Sequence, residues 1–120
     1  MPEITPIPLK ELTTLRVGAA PERMIDAETR DELIATLREV WATGDPWFVL
    51  GGGSNLFVGD EPFEGAVVRV RTEGIERLPA VEGRARLRVQ AGHNWDALVA
   101  YAVAEGLAGI EAMSGIPGTV

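Results

Sequence analysis

The chain has 120 residues, the length of one ordinary domain, and its 46% hydrophobic and 24% charged residues exclude intrinsic disorder. With 18 acidic against 11 basic residues the formal net charge is −7, which argues against a nucleic-acid partner. No apolar stretch approaches the roughly 18 residues of a membrane helix, and the absence of cysteine excludes disulfide and thiolate chemistry.

The first dozen residues carry prolines at positions 2, 6 and 8 and no secretory n-region, so an extended, loosely held start and a cytoplasmic location are expected. Thr13 to Val17 reads as a short extended run ending at Gly18, and Arg23 to Ala27 as a strand. Thr29 and Glu32 have capping-box spacing. Leu33, Ile34, Leu37, Val40 and Trp41 then recur at helical intervals, and Gly44 with Asp45-Pro46 ends the helix. Trp47-Phe48-Val49-Leu50 is expected to be a buried strand, followed directly by a glycine loop. Ala66 to Val70 forms another strand.

Ile75 to Leu78 and Arg84 to Ala91 flank a turn at Glu82-Gly83. In the second run Ala85, Leu87, Val89 and Ala91 alternate with three arginines and a glutamine, the pattern of a half-buried antiparallel strand. Asn94 caps a second helix with Asp96 in its first turn, placing Trp95, Leu98, Val99, Ala102 and Val103 inside and stopping at Gly106. Trp41, Trp47 and Trp95 all fall on expected core faces. Helices inserted among mostly antiparallel strands give an α+β fold, with lobes spanning residues 1–72 and 73–120. The chain stops inside a glycine-proline motif, so it is expected to be the front of a longer protein.

The chemistry concentrates in Gly51-Gly52-Gly53-Ser54-Asn55-Leu56. Three glycines after a strand admit a ligand close to the main chain, and consecutive N–H groups form an anion-binding nest, the arrangement a diphosphate needs. A tight turn between strands is the alternative. No Lys-Ser/Thr follows, so this is no P-loop. Leu56 stands where the dinucleotide fingerprint needs glycine, and no helix is signalled behind it. Ser114 to Thr119 is a rigid turn that gains meaning only beside that loop. His93, the single histidine, reads as a surface or capping-loop residue, and no metal site can be assembled.

Five segments occur in order: Leu12 to Gly18, Leu50 to Leu56, Ala91 to Trp95, Gly109 to Glu111 and Gly115 to Val120. This succession resembles the N-terminal part of the UDP-N-acetylenolpyruvoylglucosamine reductase family. The resemblance implies the two-lobed FAD-binding fold of the vanillyl-alcohol oxidase type, incomplete at the C-terminus. It implies non-covalent FAD held by Gly51, Gly52, Gly53, Ser54, Asn55, Leu56, Ile116, Pro117, Gly118 and Thr119, with NADPH as reductant. The implied substrate is UDP-N-acetylglucosamine enolpyruvate, reduced for peptidoglycan synthesis. The family's catalytic arginine, serine and glutamate lie beyond residue 120, so no catalytic residue is expected here. Ala19-Ala20 replaces a usual second glycine. Another non-covalent flavin oxidoreductase of the same fold and a stand-alone nucleotide-binding module are the competing readings.

Overall fold

The computed structural model describes residues 3–120. In chain order it contains β1 (Glu3–Ile4), β2 (Arg23–Ala27), α1 (Arg30–Thr43), β3 (Trp47–Leu50), β4 (Ala66–Val70), β5 (Ile75–Val81), β6 (Arg84–Val89) and α2 (Trp95–Ala104), with single 3-10 turns at Leu9–Glu11 and Glu111–Met113. Four strands form one sheet in the order β1-β2-β4-β3, and β5 pairs with β6 in a second.

The first sheet is built mainly of parallel pairs. β2 and β3 both run parallel to β4, which lies between them, and only β1 is antiparallel. The expectation of mostly antiparallel strands therefore holds for the second sheet and fails for the first. Helix α1 carries the chain from the end of β2 back to the start of β3, and the helix-free segment 51–65 does the same between β3 and β4. All three parallel strands consequently end at one edge of the sheet, the usual place for a ligand in such folds.

Alternation along the strands divides the core into two layers. Ile25, Ala66 and Val68 face α1, meeting Val40 with Leu33 and Leu37 beside it. Met24, Leu50 and Val67 face the other way, against Leu9 with Leu12, Leu56, Val58 and Phe63. Each such side chain, fully buried, contributes about 1.5–3 kcal/mol. The capping box is complete: Thr29 Oγ1 accepts the Glu32 N–H at 3.2 Å and Glu32 Oε2 accepts the Thr29 N–H at 3.2 Å. Gly44, at φ +74°, closes the helix in the left-handed conformation.

Three expectations of burial are corrected. β3 is an edge strand with only Leu50 buried, and Trp47 and Val49 are exposed. Trp41 is also exposed and packs its ring on Trp47, with centroids 5.8 Å apart. Val103 lies on the outer side of α2, while Leu98, Val99 and Ala102 are buried as expected. In both helices the buried stripe is one position narrower than the apolar spacing implies, Trp41 and Val103 lying outside it. Thr13 to Val17 is not extended either: it is a turn whose Arg16 sits at φ +55°.

In the second sheet Glu82 and Gly83 both have positive φ, the requirement of a two-residue hairpin turn matched to strand twist. Pro79 falls within the register shift between Leu78 and Val81, where a missing N–H is tolerated. Of the inward residues of β6 only Leu87 and Val89 are half-buried, and Ala85 is exposed. This hairpin joins the end of β4 by close approach. The Gly92 N–H donates to Oγ1 of buried Thr72 at 3.2 Å, and a Cβ on Gly92 would meet the Thr72 backbone at 2.6 Å. Among the described residues no helix is long and apolar enough to cross a membrane.

Candidate functional site

The glycine loop begins where buried Leu50 ends β3, at the C-terminal edge of the parallel strands. Of its three glycines only Gly53 uses positive φ, at +70°. A side chain there would collide with the Leu12 carbonyl, and the Gly53 carbonyl accepts the Thr14 N–H at 3.1 Å. The Leu12-Thr13-Thr14 segment thus braces the loop from behind, a role invisible in the sequence spacing.

Gly51 and Gly52 are needed for a different reason, the close approach of a second segment. A Cβ on Gly51 would lie 3.0 Å from Thr119 Oγ1, and one on Gly52 would lie 3.1 Å from the Gly118 Cα. Gly118 itself has φ +104°, and a Cβ there would stand 2.8 Å from Ser54 Oγ. The Ser54 hydroxyl makes a long 3.5 Å hydrogen bond to the Pro117 carbonyl. Two loops separated by half the chain are therefore face to face. Between them lies a cleft of about 280 Å³ lined by Val49 to Leu56 with Pro117 and Thr119. Gly118 closes against Ser54 beside it, whereas Ile116 is exposed and lines no part of the cleft.

The second loop is held in place by the start of α2. Asn94 caps that helix, its Oδ1 accepting the Ala97 N–H at 2.9 Å, and pairs in antiparallel fashion with Thr119. The Trp95 N–H donates to the Gly118 carbonyl and the Val120 N–H to the His93 carbonyl, each at 3.0 Å. Trp95 Nε1 reaches the Met113 carbonyl at 3.0 Å. Asp96 Oδ1 accepts both Ser114 Oγ and the Gly115 N–H, each at 2.9 Å. Those two donors hold the Asp96 carboxyl below its ordinary range, the Gly115 N–H being the stronger cause. The Gly109 N–H, 2.6 Å from Glu111 Oε2, acts likewise on Glu111. Sequence reasoning gave Asp96 only a helix-dipole role. Its one available signal was that Asn94 already supplies the cap.

His93 stays outside the cleft, as its capping-loop reading requires, with Nδ1 accepting the Gly74 N–H at 3.2 Å. Asp60, Glu61 and Glu64 are exposed turn residues, and no group of three potential metal ligands occurs among the described residues. A larger hollow of about 600 Å³ between β6 and the end of α2 is lined by Arg84, Ala85, Leu87, Ala102 and Leu107, with Arg84 the one polar side chain in its lining.

The cleft suits an anion. Its lining contains no carboxylate, and it offers glycine backbone, the Ser54 and Thr119 hydroxyls and the Asn55 amide. Among the described residues the N–H groups of Gly52, Gly53, Ser54 and Asn55 donate to no protein acceptor, the condition an anion-binding loop requires.

A parallel sheet edge bearing a glycine loop with no helix behind it, crossed by the turn at residues 115–119, is the arrangement of a nucleotide-cofactor-binding domain of a non-Rossmann kind. The FAD binding domain family matches residues 21–120. The chain belongs to that family. It is 60% identical over 114 residues to UDP-N-acetylenolpyruvoylglucosamine reductase of Leifsonia xyli, a match covering 95% of this chain and 30% of that protein. The same enzyme of Thermobifida fusca is 48% identical, with 95% of this chain and 32% of the relative covered. The crystal structure of UDP-N-acetylenolpyruvylglucosamine reductase from Thermus caldophilus superposes with a TM-score of 0.68 at 37% identity, over 97% of this chain and 39% of that one. The chain thus spans about a third of the length of these curated relatives.

Proposed function

We propose that this chain is the cofactor-holding front part of a UDP-N-acetylenolpyruvoylglucosamine reductase. In this reading Gly51, Gly52, Gly53, Ser54, Asn55 and Leu56 hold the diphosphate of FAD, and Ile116, Pro117, Gly118 and Thr119 line the flavin side. The observation that carries it is the meeting of the two glycine loops, Gly52 against Gly118, around a cleft with free N–H donors.

Each part of the chain then has a definite task. The free N–H groups of the first loop neutralise diphosphate charge without a flexible side chain to order. The Leu12–Thr14 brace keeps those donors fixed before the ligand arrives. Binding is non-covalent: cysteine is absent, and His93 lies off the cleft with Nδ1 engaged by Gly74. FAD held there would supply hydride chemistry, linking oxidation of NADPH to reduction of the enolpyruvyl group of UDP-N-acetylglucosamine. The residues that bind and protonate that substrate belong to the remainder of the protein.

The division of labour follows the two sheets, residues 1–72 carrying the diphosphate loop and 73–120 opening the second lobe, with Thr72 and Gly92 at the junction. The setting is bacterial cytoplasm and peptidoglycan synthesis, with a small-molecule substrate. The test uses the full-length protein, which should turn over NADPH beyond one equivalent per bound FAD only when UDP-N-acetylglucosamine enolpyruvate is present, forming UDP-N-acetylmuramate. Failure of that substrate alongside firm FAD binding would support a different flavin oxidoreductase of the same fold.

A further inference from the structure

The segment 114–120 belongs to no helix or named strand, yet the cleft depends on where it runs. Its later part is fixed by backbone: Gly118 through the Trp95 N–H, Thr119 through Asn94, Val120 through His93. Its approach is fixed upstream at Met113 by Trp95 Nε1. Between Met113 and Gly118 its ties to the α2 start come through the Asp96 carboxylate alone, with Ser54 on Pro117 as the other, longer contact.

We propose that Asp96 is a positioning residue for the cofactor cleft, its carboxylate setting the course of Ser114-Gly115 and so the spacing of Pro117–Thr119 from Gly51–Ser54. The proposal rests on the flavin reading above. Asp96 is free for this task because Asn94 already satisfies the Ala97 N–H. One oxygen gathers two donors that lie next to each other in the chain, which fixes direction as well as distance. Gly115, at φ +86°, turns the backbone at that same point and sends Ile116-Pro117 toward the glycine loop. A shift of a few tenths of an ångström here is felt directly at the cleft, because Gly118 and Gly52 are already at contact distance.

The experiment measures FAD dissociation constants by flavin fluorescence, and thermal midpoints of the FAD-free form, for the full-length protein and three variants. Asp96→Ala should weaken FAD about tenfold, the scale of one lost charge-assisted hydrogen bond. Asp96→Asn keeps an acceptor oxygen at the same place and should restore affinity to within about threefold of wild type. Ser114→Ala should weaken FAD less, and its effect should not add to that of Asp96→Ala. A residue that merely stabilised the fold would lower the midpoint and leave the dissociation constant alone. Asp96→Ala and Ser114→Ala both binding FAD as tightly as wild type would overturn the positioning role. Should Asp96→Ala fail to fold, Ser114→Ala and Asp96→Asn decide the matter, since unchanged affinity in the former or unrestored affinity in the latter overturns it. A wild-type protein that bound no FAD would instead remove the flavin reading on which the proposal stands.

Discussion

Gly52 faces Gly118 across the cleft so closely that a single added methyl on Gly52 would stand 3.1 Å from the Gly118 Cα. The obstacle is backbone, which cannot swing aside as a side-chain tip could. Gly52→Ala in the full-length protein should therefore push the loops apart and weaken FAD by about 1–3 kcal/mol, the usual cost of overpacking. Gly118→Ala should be worse, because it adds a strained φ of +104° to a 2.8 Å contact with Ser54 Oγ. Flavin titration of the two variants checks the order.

Thr29→Ala provides the complementary case. It removes the capping box of α1 and should cost about 1 kcal/mol of stability. Helix α1 packs on the sheet face away from Leu50 and Leu12, so FAD affinity should stay unchanged while the thermal midpoint falls.

Asp26, largely buried on β2, is flanked by Arg69 at 3.1 Å and Arg71 at 2.9 Å. Arg69 meets hydrogen-bond geometry only with Oδ2, leaving Oδ1 with ion-pair contact alone. Asp26→Ala would strand Arg69 with most of its side chain buried and should cost about 3 kcal/mol, the low end for a broken buried pair. Arg71→Ala, at a half-exposed partner, should cost no more than about 1 kcal/mol. Denaturant midpoints compare them.

The Asp96 carboxyl is held below its ordinary value of 3.8, so its folded form binds the proton less readily than its unfolded form. The stabilisation it gives is therefore complete above the ordinary value and is lost as pH falls through the lowered one. Asp96→Asn does not titrate, so its own stability lacks this pH-dependent contribution. The stability gap between wild type and Asp96→Asn should be constant from neutral pH down to the ordinary aspartate range and shrink below it. A gap that widened on acidification would contradict the assignment.

Local rules made much of this fold readable. Thr29 with Glu32, Gly44, Glu82-Gly83 and Asn94 each announce a terminus or turn through backbone chemistry confined to a few residues, and each is found where expected. Burial is not local, and there the reading failed. Trp47-Phe48-Val49-Leu50 is an apolar run, but β4 inserts between β2 and β3 and leaves β3 at the edge. The glycine loop was legible as a backbone-lined site, whereas the reason for two of its glycines was not. Gly51 and Gly52 answer to Thr119 and Gly118, partners that only the folded chain brings near. The bracing of Gly53 by Leu12 and the Asp96 tie were hidden for the same cause: both link residues far apart in sequence.

In this reading the paired glycine loops grip FAD without a covalent bond. Its most direct test is the flavin content of the purified full-length protein before and after denaturation. Equimolar FAD is expected, all of it released into solution on unfolding. Protein that purified without flavin and took up none when FAD was added, or that kept its flavin attached after unfolding, would contradict it.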